Sequence, residues 1–280
     1  MHQEFRTSSG GFIDRSKEIS FIFNGKKYYG YRGDTLASAL LANGIHLIGR
    51  SFKYHRPRGI FAAGVEDANG KVQLYKDNIT EPNVNVTEVE LVEGLRIESQ
   101  NCWPSVDFDV GGINNFFSRF FPAGFYYKTF MWPKSFWYHV YEPFIRKAAG
   151  MGKAPLDPDP DRYEHQYEHC DILVVGSGPS GIASALSAAK NGARVILAED
   201  KSRFGGSLLT DNVTIGNKNG DEWVEDSIAE LESMPNVTVR KRSQVFGYYD
   251  HNMLVMFERC KDHLKNPAPY TPRQRLWYIR

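Results

Sequence analysis

The chain has 280 residues, of which 24% are charged and 41% hydrophobic, and its formal net charge is +1. A chain of this length predicts two domains, at about 100 to 200 residues each. The near-neutral charge argues against a nucleic-acid partner, because nucleic-acid-binding domains are usually strongly basic. The three cysteines are far apart and form no Cys-x-x-Cys pair. This usage is typical of reduced, structural thiols in a cytoplasmic protein.

The N-terminal sequence, MHQEFRTSSGG, is polar and lacks the apolar stretch of a secretory signal, so export is not expected. The most apolar region is the aromatic-rich segment 116–144, which is interrupted by prolines and basic residues. Its uninterrupted apolar runs are shorter than the roughly 20 residues that cross a bilayer. The sequence therefore predicts no membrane span.

Residues 18–45 predict a strand, a turn at Asn24-Gly25, a second strand and a short helix. Asp34 is the predicted N-cap of this helix, and Gly44 is expected to leave it in a left-handed conformation. The alternating pattern of residues 84–101 predicts a strand that closes the small sheet. A hairpin crossed by one helix is how a β-grasp domain begins, and we assign residues 1–100 to a domain of the 2Fe-2S ferredoxin type.

The loop after this helix does not contain the cysteines that hold the cluster in β-grasp ferredoxins. It has the sequence HLIGRSFKYHRPRGIFAAG, with Ser51, Arg56, Arg58 and Gly59, and no cysteine precedes Cys102. Because such clusters are held by four thiolates, or by two thiolates and two histidines, no iron-sulfur cluster is predicted. The basic stretch KYHRPRG is either a packing loop or a contact for an anion or a partner's cofactor.

Residues 101–165 form an aromatic connecting segment without long periodicity. If these rings were exposed to solvent, they would form a large apolar patch. They are therefore expected to pack either against the core of this chain or against another subunit. The sequence KAPLDPDPDRYEHQYEH, residues 153–169, is typical of a linker. His165 and His169 have a spacing that would bring two imidazoles together on a helix, but their linker-like surroundings argue against a metal site.

Residues 166–280 predict an incomplete Rossmann-like FAD or NAD binding domain. The apolar strand DILVVG is followed at once by Gly176, Gly178 and Gly181, a spacing that provides a tight turn, access to a pyrophosphate and close helix packing. The second strand, RVILAED, ends at Glu199, where a carboxylate can accept hydrogen bonds from the adenosine ribose. Asp200 is the competitor for this role. An acid here favours NAD or FAD over NADP, although the nearby Lys201 and Arg203 weaken that exclusion.

The sequence FGGSLL adds the glycine pair Gly205-Gly206 just beyond the acid. This order resembles the flavin disulfide reductase-like family of FAD or NAD binding domains. Residues 236–260 predict a parallel strand followed by a meander, and Val245 and Phe246 lie where such domains hold adenine through backbone groups.

The motif order along the whole chain resembles the N-terminal portion of the alpha subunits of the heterotetrameric sarcosine oxidase family. It consists of GDTLASALLANG, GRSFKYHRPRGIFAAG, ESQNCWPSVDFD, PAGFYYKTFMWP, YEPFIRKAAGMG and VVGSGPSGIASAL. The resemblance implies an oxidoreductase subunit that binds NAD, in a complex that holds FAD on its beta subunit and FMN at the alpha-beta interface. The partners implied are beta, gamma and delta subunits, and the chain is expected to be a fragment of a longer subunit.

The implied reaction is the oxidative demethylation of sarcosine, in which oxygen is reduced to peroxide and a one-carbon unit passes to tetrahydrofolate. Sarcosine and tetrahydrofolate are expected to bind elsewhere in the complex, and no catalytic acid or base is expected in this chain. The predicted cofactor-binding residues are Gly176, Ser177, Gly178, Pro179, Ser180, Gly181, Glu199, Asp200, Lys201, Gly205, Gly206, Ser207, Val245 and Phe246. The alternatives are a subunit of another flavin-dependent amine, opine or amino-acid dehydrogenase, and a non-catalytic assembly module with a structural dinucleotide.

Overall fold

The computed structural model describes residues 3–76, 79–121, 124, 130–149 and 152–280. Its contacts divide the chain into a first unit, residues 1–8 and 13–160, and a second unit, residues 9–12 and 161–280. Across these described ranges, no helix combines the length and the apolar composition needed to cross a lipid bilayer.

The first unit is built on a mixed sheet and one short helix. Its strands are β1 Asp14–Phe23, β2 Lys26–Arg32, β3 Gly49–Arg50, β4 Pro57–Arg58, β5 Lys71–Lys76, β6 Ile79–Asn85 and β7 Leu95–Ser99. Its helices are α1 Leu36–Ala42, α2 Ile113–Phe116 and α3 Glu142–Ala149.

The main sheet of the first unit has the order β2-β1-β7-β5-β6. Strands β1 and β7 pair in parallel, and the other neighbours are antiparallel. Helix α1 packs on this sheet, and its apolar side contributes Leu36 and Leu40, both fully buried, to a core shared with Phe21 and Ile97. A hairpin crossed by a helix and joined in parallel by a later strand is the β-grasp arrangement, so the predicted local order is confirmed.

In this region the predicted hairpin turn is confirmed, and the predicted N-cap of α1 is wrong. Asn24 and Gly25 have φ angles of 49° and 77°, as a two-residue hairpin turn requires. Thr35 is the N-cap of α1, and its hydroxyl accepts a hydrogen bond from the Ser38 amide at 3.1 Å. Asp34 does not cap the helix, because its buried carboxylate instead accepts two hydrogen bonds from the Arg6 guanidinium, at 2.7 and 3.1 Å.

The aromatic segment is largely exposed where the structure describes it. Its most exposed aromatic side chains, each at least 70% accessible, are Trp103, Phe108, Phe116, Phe120, Trp132, Tyr138 and Phe144. These rings are therefore not packed in the core of the first unit, which was one of the two alternatives for this segment. The motif PAGFYYKTF, residues 122–130, lies mostly outside the described residues.

The second unit combines a parallel sheet with an antiparallel meander. Its strands are β8 Tyr163–Glu168, β9 Ile172–Val175, β10 Val195–Ala198, β11 Thr214–Ile215, β12 Lys218–Asn219, β13 Val237–Arg240, β14 Ser243–Tyr249, β15 Met253–Arg259 and β16 Gln274–Ile279. Its helices are α4 Pro179–Lys190 and α5 Gly220–Ser233.

The parallel sheet has the order β13-β10-β9, with β10 buried along its entire length. Helix α4 places Ile182, Ala185 and Ala189 in the core on one side of this sheet. The small alanines let the helix lie close to the strands, as the sequence predicts. On the other side, Ile196 and Ala198 share a cluster with Met256 and Ile279 of the meander.

The segment predicted as a linker contains a strand. Residues Tyr163–Glu168 form β8, which pairs in parallel with β16 at the edge of the sheet β14-β15-β16-β8. The alternation of Tyr and His with Glu and Gln has the period of a strand, but the prolines before it favoured a linker interpretation. His165 lies on β8 and His169 follows the last residue of that strand, so the two histidines are not on a helix and the helical spacing considered for a metal pair is not formed.

Candidate functional site

The chain passes from β9 into α4 through a glycine-rich turn. Its three glycines, Gly176, Gly178 and Gly181, have different local environments. Gly176 has a φ of +91°, which L side chains rarely adopt. A Cβ added to Gly181 would lie 2.0 Å from the Gly176 carbonyl oxygen, so only glycine allows this close packing. No atom lies within 4 Å of a Cβ added to Gly178, so the backbone at this residue can be approached from outside.

The N-terminus of α4 has the features of an anion site. The helix begins at Pro179, its N-cap is Gly178, and its first turn contains no acidic residue. The free amides of the first turn and the helix dipole both favour a negatively charged group at this end. Ser180, in the same turn, is exposed. Together with the accessible backbone at Gly178, this geometry fits a pyrophosphate.

The second glycine pair packs directly on the first glycine turn. The Gly205 amide donates a hydrogen bond to the Ser177 carbonyl oxygen at 3.0 Å. A Cβ added to Gly206 would lie 2.8 Å from the Gly178 Cα. The two glycine motifs that the sequence separates by almost 30 residues therefore form one surface. Ser207 follows on this surface with an exposed side chain.

Glu199 lies at the end of β10 and is 5% exposed. One of its carboxylate oxygens accepts hydrogen bonds from the Ser177 amide at 2.9 Å and the Ser177 hydroxyl at 2.5 Å. The other accepts from the Lys201 amide at 3.0 Å. Burial acts to raise the pKa of Glu199, but hydrogen bonds from Asp200, Ser177 and the Lys201 amide hold it below its usual value. Glu199 is thus an ionised acid that also braces the glycine turn.

Asp200 is half-buried beside Glu199. Burial, followed by its hydrogen bond to Glu199 and the negative charge of Glu199, raises the pKa of Asp200 to about 6. Lys201 is exposed on the other side of this acid. The predicted acid and its competitor are therefore brought together as a pair, with a basic side chain next to them.

Val245 and Phe246 lie on β14, outside the two glycine motifs. Val245 packs beneath β10 with Met256, whereas Phe246 is 51% exposed. Phe246 is the extra residue of a β-bulge between β14 and β15. A bulged residue is left out of the ladder, so its backbone is available to another partner. The Ser243 amide donates to the Glu199 carbonyl oxygen at 2.7 Å, which fixes the start of β14 at the acid.

Two contacts at this site could not be read from the motifs. The Arg259 guanidinium donates to the Asp200 carbonyl oxygen, from a strand almost 60 residues further along the chain. The bond between the Ser177 hydroxyl and Glu199 joins the variable position of one motif to the acid of the next. The only sequence signal of the Ser177–Glu199 contact is a polar residue between the first two glycines. The sequence contains no signal of the contact between Arg259 and Asp200.

In the first unit, the loop after α1 is a small hairpin of β3 and β4. The Arg50 guanidinium donates to the Val106 carbonyl oxygen at 2.7 and 2.9 Å and to the His55 carbonyl oxygen at 3.2 Å. The His55 imidazole lies 2.7 Å from the buried Asp109 carboxylate. Side chains of the hairpin thus bind protein groups that come later in the same unit.

Two family models match the chain. The model of a 2Fe-2S iron-sulfur cluster binding domain matches residues 16–102, and the model of an FAD dependent oxidoreductase matches residues 171–248. The N-terminal domain is therefore of the ferredoxin-like 2Fe-2S type, and it is followed by a domain of the FAD-dependent oxidoreductase type. The second match includes both glycine motifs, the acid pair and the bulge.

The residues of the first unit do not fit an iron-sulfur cluster. Four thiolates are needed, and this unit contains one cysteine, Cys102. Burial and the nearby Asp109 carboxylate raise the pKa of the Cys102 thiol to about 11, so it remains protonated. The glycine turn of the second unit, in contrast, fits the diphosphate that FAD and NAD share.

A sarcosine oxidase subunit alpha of Rhizobium meliloti (strain 1021) is 51% identical over 98% of this chain, which spans 28% of that protein. One from Corynebacterium sp. (strain U-96) is 30% identical over 98% of this chain and 24% of its own length. An L-proline dehydrogenase structure from P. horikoshii aligns with 95% of this chain and 40% of its own, at 17% identity and a TM-score of 0.52, which supports the fold alone. The chain spans about a quarter of the length of its curated relatives, and over that length it is a homologue of sarcosine oxidase subunit alpha.

Proposed function

We propose that the chain is the dinucleotide-binding part of a sarcosine oxidase alpha subunit and that its dinucleotide is NAD. The observation that carries the proposal is the single surface formed by the two glycine motifs, with an anion-favouring helix N-terminus and an acid at the ribose end. Glu199, Asp200 and Lys201 would contact the ribose side, and Ser180, Ser207 and the Phe246 backbone would complete the site.

In the complete complex we propose oxidative demethylation of sarcosine, with hydride acceptance supplied by flavin. FAD and FMN would be held with the beta subunit and at its interface with the alpha subunit. The gamma and delta subunits, sarcosine and tetrahydrofolate would bind outside this chain, in a cytoplasmic complex. The part of the chain described here would bind and orient a dinucleotide and contribute surface, and would supply no catalytic acid or base.

FAD at the same surface is a second candidate, because the family model that matches residues 171–248 is that of an FAD dependent oxidoreductase. FAD and NAD share the adenosine diphosphate half, so the glycine turn and the acid serve either molecule. The two differ in what lies beyond the diphosphate. Direct competition between NAD and FAD for the same chain decides between them.

The test is calorimetric titration of the 280-residue chain with NAD and with FAD, before and after the change Gly178→Glu. A carboxylate about 4 Å from the phosphates costs more than about 1 kcal/mol even in water, so we expect NAD affinity to fall at least about fivefold. Ser184→Glu adds the same charge to an exposed position further along α4 and serves as the matched control. Unaltered NAD affinity in Gly178→Glu would remove the site, and tighter binding of FAD would reassign it.

Measurements of stability and turnover on the assembled complex distinguish the remaining alternatives. If the dinucleotide only stabilises assembly, removing it lowers complex stability while peroxide production per intact complex stays constant. If the substrate is another amine, opine or amino acid, turnover on dimethylglycine, proline or opines exceeds turnover on sarcosine. Highest turnover on sarcosine, lost on dinucleotide removal without dissociation, supports the proposal against both.

A further inference from the structure

A short N-terminal segment belongs to the second unit. The contacts of the chain assign residues 9–12, with the sequence Ser-Gly-Gly-Phe, to the unit that otherwise begins at residue 161. We call these four residues the N-terminal strap. Two contacts join the strap to the rest of the unit through a single side chain, that of Arg203, and both are made with Phe12. These two residues are 191 positions apart in the chain, so no local motif predicts their contact.

Phe12 holds the Arg203 guanidinium in two ways. The guanidinium lies over the Phe12 ring, with its central carbon 4.9 Å from the ring centroid. One of its terminal nitrogens also donates a hydrogen bond to the Phe12 carbonyl oxygen at 3.1 Å. A guanidinium that is already stacked and hydrogen-bonded has less rotamer freedom to lose when it binds an anion. Phe12 therefore prepares Arg203 for a ligand.

Arg203 lies between two parts of the proposed dinucleotide surface. It is four residues after Glu199 and two residues before Gly205. The Lys201 amide donates to the Glu199 carboxylate, and the Gly205 amide donates to the Ser177 carbonyl oxygen. The loop that carries Arg203 is thus fixed to the acid at one end and to the glycine turn at the other. The strap reaches the rim of this surface.

The guanidinium has donors and charge left for a ligand. An arginine side chain carries several N–H donors, and the Phe12 carbonyl oxygen accepts from one of its nitrogens. Within the ranges of the chain that the structure describes, no carboxylate forms an ion pair with Arg203, and its side chain is exposed. A positive charge without an acidic partner beside an anion-favouring turn attracts a diphosphate.

We propose that Arg203 binds the diphosphate of the dinucleotide and that Phe12, in the N-terminal strap, is the residue that positions it. The inference rests on the proposed dinucleotide site and extends that site to a residue almost 200 positions earlier in the chain. The ligand group concerned is shared by ADP, NAD and FAD, so the role of Arg203 does not depend on which dinucleotide is bound.

The changes Arg203→Met and Phe12→Leu test the two roles. Arg203→Met removes the charge and keeps much of the side-chain length, so ADP affinity should fall about fivefold at low salt and less at high salt. Phe12→Leu removes the stacked ring and should lower ADP affinity about threefold. Because Phe12 acts through Arg203, Phe12→Leu should have no further effect in the Arg203→Met background.

The experiment is calorimetric titration of the 280-residue chain with ADP, NAD and FAD at about 50 mM and about 300 mM salt. Phe12→Tyr keeps an aromatic ring and should retain the affinity of the unaltered chain. Phe5→Leu is the matched control, because the Phe5 ring also lies near the N-terminus but packs edge-on against His46 in the first unit, with the ring centroids 5.4 Å apart. It should leave ADP affinity unchanged.

The outcomes distinguish this inference from the proposed function. If Gly178→Glu weakens ADP binding and Arg203→Met does not, the dinucleotide site stands and the role of Arg203 is overturned. An equal effect of Phe12→Leu with and without Arg203 would overturn Phe12 as its positioning residue. If FAD binds far more tightly than NAD and loses the same factor in Arg203→Met, the inference stands and the assignment of NAD fails. An unaltered chain that binds none of the three ligands would overturn both.

Discussion

The two units differ in whether their fold is accompanied by residues that could bind its usual cofactor. The first unit has the sheet and helix of a 2Fe-2S domain, but its loop contains arginines where cluster ligands would be needed. The second unit matches the model of an FAD-dependent oxidoreductase domain and has the glycines and acids of the proposed dinucleotide site. A fold can therefore exist without the ligand residues, because the core that holds the sheet together does not include them.

Each unit contains a buried acid that accepts several hydrogen bonds, and the two acids have different surroundings. Asp67, 1% exposed, accepts four hydrogen bonds from the amides of Phe61, Ala62, Asn69 and Gly70, at 2.6 to 2.9 Å. It fixes a loop of the first unit for purely structural reasons. Glu199 accepts three protein hydrogen bonds but lies next to a second acid at an open surface. The acid of the first unit fixes a loop, whereas the acid of the second unit braces the glycine turn of the proposed dinucleotide site.

The largest loss of stability is expected from Asp67→Ala. Four buried amides would lose a charged acceptor, and hydrogen bonds to charged groups contribute about 1.5 to 3 kcal/mol each before the loop relaxes. We expect the free energy of unfolding of the first unit to fall by about 4 kcal/mol, measured by hydrogen exchange at α1 and β7. Glu66→Ala, at the exposed neighbouring acid, should change it by less than about 0.5 kcal/mol. Equal effects of the two changes would contradict the role of Asp67.

Gly181→Ala should destabilise the second unit almost as strongly. The added methyl would overlap the Gly176 carbonyl oxygen, and overpacking of this kind costs about 3 kcal/mol. The same substitution at Gly178 meets no protein atom and should cost less than about 1 kcal/mol while weakening NAD binding. Hydrogen exchange at α4 measures the first effect and calorimetry the second. Similar stability of the two variants would show that α4 is not held against the turn.

An intermediate effect is expected from pH, and only in the second unit. Asp200 has a folded pKa of about 6 against an ordinary value of 3.8, so the folded state keeps a proton that the unfolded state has released. The second unit should therefore gain about 1 kcal/mol as the pH falls from 7 to 5. Burial acts to raise the pKa of Asp67, but its four amides keep it below the usual value, so its contribution is lost only at lower pH.

The measurement is hydrogen exchange at α4 and α1 in the same sample at pH 7 and pH 5, corrected for the intrinsic exchange rate. The gain at α4 should disappear in Asp200→Asn and remain in Asp250→Asn, a change at an exposed acid of the same unit. A loss of protection at α4 on acidification would contradict the raised pKa of Asp200.

The smallest effect on stability is expected at the aromatic surface of the first unit. Phe116 is 83% exposed, so Phe116→Ser should change the free energy of unfolding by less than about 0.5 kcal/mol. The ring would nevertheless contribute to a subunit interface, where exposed aromatic residues are common anchors. Sedimentation of the assembled complex should show weaker association, and unchanged association would remove this residue from the interface.

Local sequence patterns predicted much of the fold. The Asn24-Gly25 turn, the small residues of α4, and Gly176 and Gly181 are each at positions where few other residues fit. What could not be predicted depends on groups distant in sequence. The Asp34 carboxylate binds Arg6 and does not cap α1. Strand β8 pairs with β16, which comes more than 100 residues later in the chain.

The candidate site shows the same division. The sequence identified the glycine turn, the second glycine pair and both acids, because each is a local motif. The burial of Glu199 and its hydrogen bonds with Ser177 depend on packing that only the folded unit determines.

The most direct test of the account is a crystal structure of the 280-residue chain with NAD. We expect the diphosphate within about 3 Å of the amides of residues 178–181, with the adenosine ribose hydroxyls at Glu199 and Asp200. NAD bound away from the glycine turn, or a turn covered by other protein atoms in the presence of saturating NAD, would contradict it.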